Sequence, residues 1–298
     1  MSDINCEFCH LDISPDEYPE HYEQCQIEQL QLLEDTHVVQ QKSIPEDLPT
    51  DKQLRALDYA VKKSRIFSKN ITDNLKLKFL TRGLTDKHYV DVINYVQNKA
   101  PLIIHVNLDR VLEFFCKDDY YRNQFETNIS GGALSNPSRV QWEDNLFQRI
   151  YHDAQPFERV KYGTINMTND PNGVNACYGY GDSYLLLKDH MRQITTFVFG
   201  DSAQQDIHMA TFQHFNSILY YINDKLLDDV VKIASGEVSH MSAINCTPYI
   251  EAQIHGAIRF DRDVEGLYVN KKYYNNYKIK ELLEVFKDKH GCNYHLLN

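Results

Sequence analysis

From Tyr249 to Gly256 the chain reads Tyr-Ile-Glu-Ala-Gln-Ile-His-Gly, an alternation that admits few local structures. Strand side chains point to opposite faces with a period of two. Ile250, Ala252 and Ile254 therefore share one face, and Glu251, Gln253 and His255 share the other. Asn245-Cys246-Thr247-Pro248 ahead of this stretch reads as a turn. Two meanings fit a row of polar groups along one strand face. One is an edge strand whose polar side meets water, common in antiparallel sheets. The other is the wall of a site. Either way the strand needs neighbours, and the sequence supplies them. Leu102–Val106 is apolar and β-branched, Glu158–Asn166 begins another strand, and Tyr184–Leu187 and Arg192–Phe199 continue the sheet.

Helical periodicity fills much of the remainder, so the fold class is α+β. Thr50-Asp51-Lys52-Gln53 is a capping-box pattern that opens a helix carrying Leu54, Leu57, Ala60 and Val61. A second helix is expected from Ile71 to near Gly83, and a third from Thr85 with Val90, Val92, Ile93 and Val96. Trp142, Leu146, Phe147, Ile150 and Tyr151 form a helical stripe that reads as core. The stretch 204–228 reads as one helix with Phe212, Phe215, Ile218, Leu219 and Ile222 on its apolar face, and 279–289 as a charged amphipathic helix. Lys62, Lys63, Arg65 and Lys69 read as a solvated helix end.

The net charge of -11 argues against a broad footprint for nucleic acid. No apolar run is long enough to span a bilayer, so no membrane partner is expected. Met1–Asn5 has no basic region followed by an apolar core, so a cytoplasmic protein is expected, with delivery into a host cytosol as a second route. Seven cysteines, an odd number, do not make a disulfide scaffold; they fit a reducing compartment.

Three of those cysteines precede residue 26. Cys6, Cys9, His21 and Cys25 are spaced C-x2-C-x11-H-x3-C, and thiolates with an imidazole favour tetrahedral zinc. His21 and Cys25 fall on one face of a helix starting near Pro19, whereas the competing His10 follows Cys9 directly and would strain the knuckle. A unit this small needs the metal to fold. The segment Cys6–Gln26 resembles the small ubiquitin-binding zinc fingers of DNA-repair proteins. That resemblance implies ubiquitin or a ubiquitinated protein as partner, with the finger in residues 1–30 and a linker and helical region over 31–100.

The remaining chemistry lies in 101–298. Asp109-Arg110, Gln124-Phe125-Glu126-Thr127 with Ser130-Gly131, Arg139 with Trp142-Glu143, Glu158-Arg159 with Lys161-Tyr162-Gly163, Asp201-Ser202, and Glu251-x-Gln253-x-His255-Gly256 occur in this order. Together they resemble a bacterial family of largely uncharacterised proteins. That family is akin to ADP-ribosyltransferases, and to bacterial effectors that modify a threonine of ubiquitin. The resemblance implies a split β-sheet core and NAD as co-substrate. It places Arg110 on the pyrophosphate or nicotinamide ribose, Thr127 and Ser130 at the nicotinamide end, and Glu251 as the late catalytic glutamate. For the chemistry of such a site, Gln253 could orient the acceptor, His255 could serve as a base or be structural, and Tyr162 could stack on nicotinamide or pack in the core. The hydroxyl segment is Thr-Asn-Ile-Ser rather than Ser-Thr-Ser, and Gln253 follows the glutamate instead of preceding it. Arg159, with Ser183 or Thr196, is therefore a rival for the arginine role. The competing functions are a non-catalytic ubiquitin-binding adaptor and an NAD glycohydrolase.

Overall fold

The computed structural model describes residues 49–128, 135–203 and 208–297, and two short strands near the N-terminus. The chain divides into two units, Met1–Leu48 and Pro49–Asn298. In the first, β1 (Ile4–Asn5) and β2 (Asp12–Ile13) pair antiparallel, Ile4 opposite Ile13. Cys6 and Cys9 fall between them in sequence; with His21 and Cys25 they lie outside the described residues.

The second unit opens with α1 (Asp51–Thr81) and α2 (Asp86–Asn98). Strand β3 (Leu102–Val106) runs into α3 (Leu108–Lys117), followed by the single turn α4 (Gln124–Thr127) and α5 (Asn136–Leu146). Next come β4 (Lys161–Ile165), β5 (Ser183–Leu187), β6 (Thr195–Phe199) and β7 (Met209–Thr211). Helices α6 (Asn216–Tyr221) and α7 (Asp224–Ala234) lead to β8 (Ile250–Ile254). The chain closes with α8 (Phe260–Asp263), β9 (Val264–Val269), α9 (Tyr277–His290) and β10 (Tyr294–Leu296). Among the described residues no helix is long and apolar enough to cross a membrane.

The larger unit holds one eight-stranded sheet in the order β10-β9-β5-β3-β4-β8-β6-β7. The pair β9–β10 is parallel and the other neighbours are antiparallel. The split core expected from the sequence is therefore a continuous sheet, yet it is nearly divided in the middle. Strands β3 and β4 meet only at Leu102–Ile165 and Ile103–Thr164. Past that junction, Ile104–Val106 pair with β5 and Lys161–Gly163 with β8. Gly163 permits the junction, because a Cβ there would stand 2.6 Å from the Ile103 carbonyl oxygen.

Helix α1 departs from the two helices read from the sequence. It runs unbroken for 31 residues, its start closed by reciprocal Thr50 and Gln53 capping bonds. Its buried face carries Ala56, Ala60, Ser64, Ser68, Leu75 and Phe79, while Leu77 and Leu80 stand exposed. Small side chains every four residues bring the helix close to β6, β7 and α6. The single helix expected over 204–228 is also replaced. Strand β7 ends at Thr211; the ring of Phe212, next in the chain, sits 4.5 Å from that of Phe197, and Phe215 packs 5.3 Å from the same ring. Asn223 then starts α7 afresh, its side-chain oxygen accepting from the Leu226 N–H at 2.8 Å.

Two apolar clusters result. The larger joins β3, β5, β8 and β9 to residues of α2, α3, α7 and α9. The smaller gathers Ala56, Ala60, Phe147, Tyr151, Val198 and Met209. Val198 sits opposite Glu251 in the β6–β8 register, so this second cluster covers the sheet face that bears Glu251, Gln253 and His255.

If close approach of α1 holds this cluster together, Ala60→Leu overpacks a residue with no exposure and lowers unfolding free energy by about 1–3 kcal/mol. Leu77→Ala, at 57 % exposure, changes it by no more than about 0.5 kcal/mol. Urea unfolding of the two variants against the parent measures both.

Candidate active site

A cavity of about 840 Å³ is lined by both strands that part at the sheet junction. The β3 side contributes His105, Val106 and Asn107, with Arg110 from the first turns of α3. Strand β4 contributes Tyr162, Gly163 and Thr164, and α5 adds Arg139 and Trp142. Tyr180, Asp201, Ser202, Tyr249 and Glu251 line the rest near the carboxylate. Trp142, expected in the core, is thus a wall of the cavity.

The β3 side is clamped. His105 Nε2 accepts from the Val174 N–H at 3.0 Å, which leaves Nδ1–H to donate to the Gly181 carbonyl at 2.8 Å. Burial pushes the His105 pKa down to about 4, so the ring is neutral at pH 7. Gly181 has φ 154°, and a Cβ on it would fall 2.0 Å from the Val106 carbonyl carbon. Only glycine permits that approach. The clamp holds the strand end from which Asn107 and Arg110 project.

Glu251 is 6 % exposed and lies between Thr164 of β4 and Val198 of β6. Gln253 Nε2 donates to Glu251 Oε1 at 2.8 Å, and the Tyr249 hydroxyl reaches Oε2 at 3.4 Å. Tyr180 and Tyr249 hydroxyls are 3.1 Å apart. Burial pushes the Glu251 pKa up to about 7, opposed by donors from Ser202 and Gln253 and reinforced by the charge of Asp201. A carboxyl in a cavity with a proton affinity matched to neutral pH suits acid–base or charge-stabilising work.

The other sequence-derived candidates separate. Arg110, Thr127 and Tyr162 line the cavity; Ser130 lies outside the described residues. Thr127 Oγ1 donates to the Asn123 carbonyl at 3.0 Å. The Tyr162 hydroxyl donates to Glu143 at 3.3 Å, and the Arg139 guanidinium stands 5.4 Å from its ring centre. Arg159 does not line the cavity. It is 5 % exposed, bonded to Glu143 at 2.6 Å, and packed 4.5 Å from the Phe125 ring centre. Ser183, its suggested partner, accepts from the Asn270 N–H at 3.0 Å. Gln253 and His255 are fully buried and also miss the cavity wall. His255 is held by Tyr151 at 2.7 Å and Thr196 at 3.0 Å, with Phe147 edge-on at 5.0 Å. Burial pushes its pKa down to about 3, with the charge of Lys161 adding to the effect. Such a neutral, sealed imidazole has no contact with an acceptor, so the direct roles expected for His255 and Gln253 do not fit their positions.

Several features were not singled out from the sequence. Among the described residues, the side-chain amide oxygens of Asn107 and Gln124 are buried and without a partner, on residues that line the cavity. Tyr249 precedes Glu251 by two residues and shares its strand face, a signal available from spacing. Tyr180 follows a glycine-rich turn and carries no such signal. Among the described residues no group of three His, Cys, Asp or Glu side chains is arranged to hold a metal.

Residues 101–233, less than half of the chain, match a family described as "Protein of unknown function (DUF3626)". A comparison with curated proteins finds no match. Among solved structures the chain is similar to "Thermosipho africanus DarTG in complex with ADP-ribose", with 10% identity over 65% of this chain and a TM-score of 0.32. The match covers 49% of that structure, about half its length. At this level the likeness assigns neither fold nor activity.

The Glu251 carboxyl gives a pH signature. Its proton affinity rises on folding, so between pH 4.5 and about 7 the folded chain binds more protons than the unfolded one. Stability from this group falls as pH rises through that window, and the full cost is present above it. Glu251→Gln removes the cost. Its melting temperature exceeds that of the parent by several degrees at pH 8, at about 2–4 °C per kcal/mol for a chain of this size, and the two converge at pH 4.5. Thermal scans at the two pH values measure the difference.

Proposed function

We propose that this protein is an NAD-dependent mono-ADP-ribosyltransferase that modifies a protein acceptor, ubiquitin or a ubiquitinated protein. The observation that carries the reading is the buried Glu251 carboxyl in the wall of a cavity whose lining includes Arg110, Arg139 and the aromatic side chains Trp142, Tyr162 and Tyr180. About 840 Å³ falls in the range of cofactor-sized sites, roughly 300–1,000 Å³. The residues suit a dinucleotide. Guanidinium groups match a diphosphate, aromatic rings match a heterocycle, and the unpartnered side-chain oxygens of Asn107 and Gln124 accept from amide or hydroxyl donors.

The chemistry follows from the charge that develops. As the nicotinamide–ribose bond breaks, its electron pair stays on the nicotinamide nitrogen and the ribose becomes oxocarbenium-like. An ionised Glu251 beside that carbon stabilises the positive charge. The acceptor oxygen forms the new bond to the ribose, and its proton passes to a base; Glu251, with a pKa of about 7, is suited to take it. Both roles require the ionised form, so activity rises with pH through about 7. Of the two arginines read from the sequence for the substrate end, Arg110 lines the cavity, while Arg159 serves Glu143.

The partner is assigned through the N-terminal finger. Cys6, Cys9, His21 and Cys25 would hold zinc, and the antiparallel pair β1–β2 brackets the first two in sequence, as a knuckle requires. In this reading the metal supplies folding energy to the finger and takes no part in ribosyl transfer.

Incubation of the full chain with labelled NAD and ubiquitin tests the function. The expected result is label on ubiquitin, with Glu251→Gln reduced about 10²–10³-fold. Label released only as free ADP-ribose makes the protein a glycohydrolase. No cleavage of NAD, with ubiquitin still bound, makes it an adaptor. Metal analysis of the same preparation is expected to find one zinc per chain, lost in Cys9→Ser together with ubiquitin binding but not with NAD cleavage.

A further inference from the structure

The fully buried side chains behind Glu251 form a hydrogen-bonded row along one face of β8 and its neighbour β6. Its direction is determined by its last member. An ionised carboxylate has no proton to give, so Gln253 presents its NH₂ to Glu251 Oε1, at 2.8 Å. The Gln253 carbonyl oxygen then faces Thr196, whose hydroxyl donates to it at 3.0 Å. That hydroxyl has one proton, already used. The 3.0 Å contact between Thr196 Oγ1 and His255 Nε2 therefore carries a proton on Nε2. A neutral imidazole with Nε2–H has a bare Nδ1, which accepts from the Tyr151 hydroxyl at 2.7 Å.

We infer that Tyr151, His255, Thr196 and Gln253 form a one-way relay in which every hydrogen bond donates toward Glu251, and that Thr196 and His255 are positioning residues acting through it. The relay does two things. It fixes the Gln253 amide so that its donor edge, not its carbonyl, meets the carboxylate. It also adds aligned dipoles that favour the anion, against the burial that opposes it. Register supports this use of the residues. Thr196 lies opposite Gln253 in the β6–β8 ladder, and Tyr162 lies opposite Gln253 on the other side, so the amide is flanked on both sides. Phe147 and the Ala56–Ala60 stripe of α1 belong to the cluster that closes this face, and Tyr151, Thr196, Gln253 and His255 have essentially no exposure. The charged groups bearing on the row are Glu143, Glu158 and Arg159 at the Tyr151 end, Lys161 on His255, and Asp201 at the Glu251 end.

The inference rests on the reading of Glu251 as the working carboxylate only for its effect on turnover, so its test does not use turnover. Nitrogen NMR of the histidine-labelled full chain at pH 8 is expected to show His255 with Nε2 protonated and Nδ1 bare. Carboxyl-carbon NMR is expected to show the Glu251 titration midpoint about one unit higher in Thr196→Val, a tenfold gain in proton affinity, and within experimental error of the parent in Thr196→Ser. A His255 ring protonated at Nδ1, or a Glu251 midpoint identical in Thr196→Val and parent, overturns the relay. Should Thr196→Val fail to fold, Tyr151→Phe decides. Because the direction is set from Glu251 through Gln253 and Thr196, Nε2 stays protonated in that variant; a ring protonated at Nδ1 overturns the relay. A parent that passes these tests yet leaves NAD intact overturns the transferase reading and keeps the relay.

Discussion

Two residue pairs hold the halves of this sheet together, and the rest of the structure depends on how short that junction is. Had β3 and β4 paired along their full length, Ile104 to Val106 would lie against Lys161 to Gly163. Instead the strands part, and each turns to its outer neighbour. A sheet that opens in its middle acquires two inner edges, with backbone polar groups facing each other across the gap. A polar ligand answers those groups better than a core does. The opening therefore carries the cavity, and the clamp of His105 on Gly181 keeps one lip in place.

The face of β8 that carries the polar residues resolves a conflict between burial and charge by position along one strand. Its inner part lies under α1 and the Phe147–Tyr151 segment, where each polar group must find a partner within the protein. Its outer end, Glu251, reaches the cavity. From His255 to Glu251 the environment changes from a dry core to the wall of a cavity. A carboxyl at that boundary keeps a proton affinity far above that of a solvated glutamate, held there by burial and moderated by the donors behind it.

Much of this was legible in the sequence where hydrophobic contrast was strong. The strand at 250–254, the strand at 102–106 and the capping box at Thr50 occur where alternation and capping chemistry place them. What failed to read had a common cause. Helix α1 buries alanines and serines and exposes Leu77 and Leu80, so the apolar pattern marked the wrong face and suggested a break that does not exist. Phe212 and Phe215 shared a helical spacing but lie in the connection between a strand and a new helix, because their rings are fixed by Phe197 rather than by local periodicity. Arg110 and Arg159 were indistinguishable by residue type; the distinction came from Glu143, whose pairing with Arg159 no spacing rule reveals. Likewise His255 looked like a base on its strand, and only the ring of Tyr151 above it shows that it faces away from solvent.

The sealing of this row by α1 has a consequence for traffic. Tyr151 stands at its far end with no exposure, so the row stops inside the protein. It is a cul-de-sac for protons. Among the described residues, a proton that Glu251 took up in the proposed transfer would meet bulk water through the cavity it lines. Under that proposal turnover would be tied to emptying, because an occupant that lingers over the carboxyl also holds the proton in.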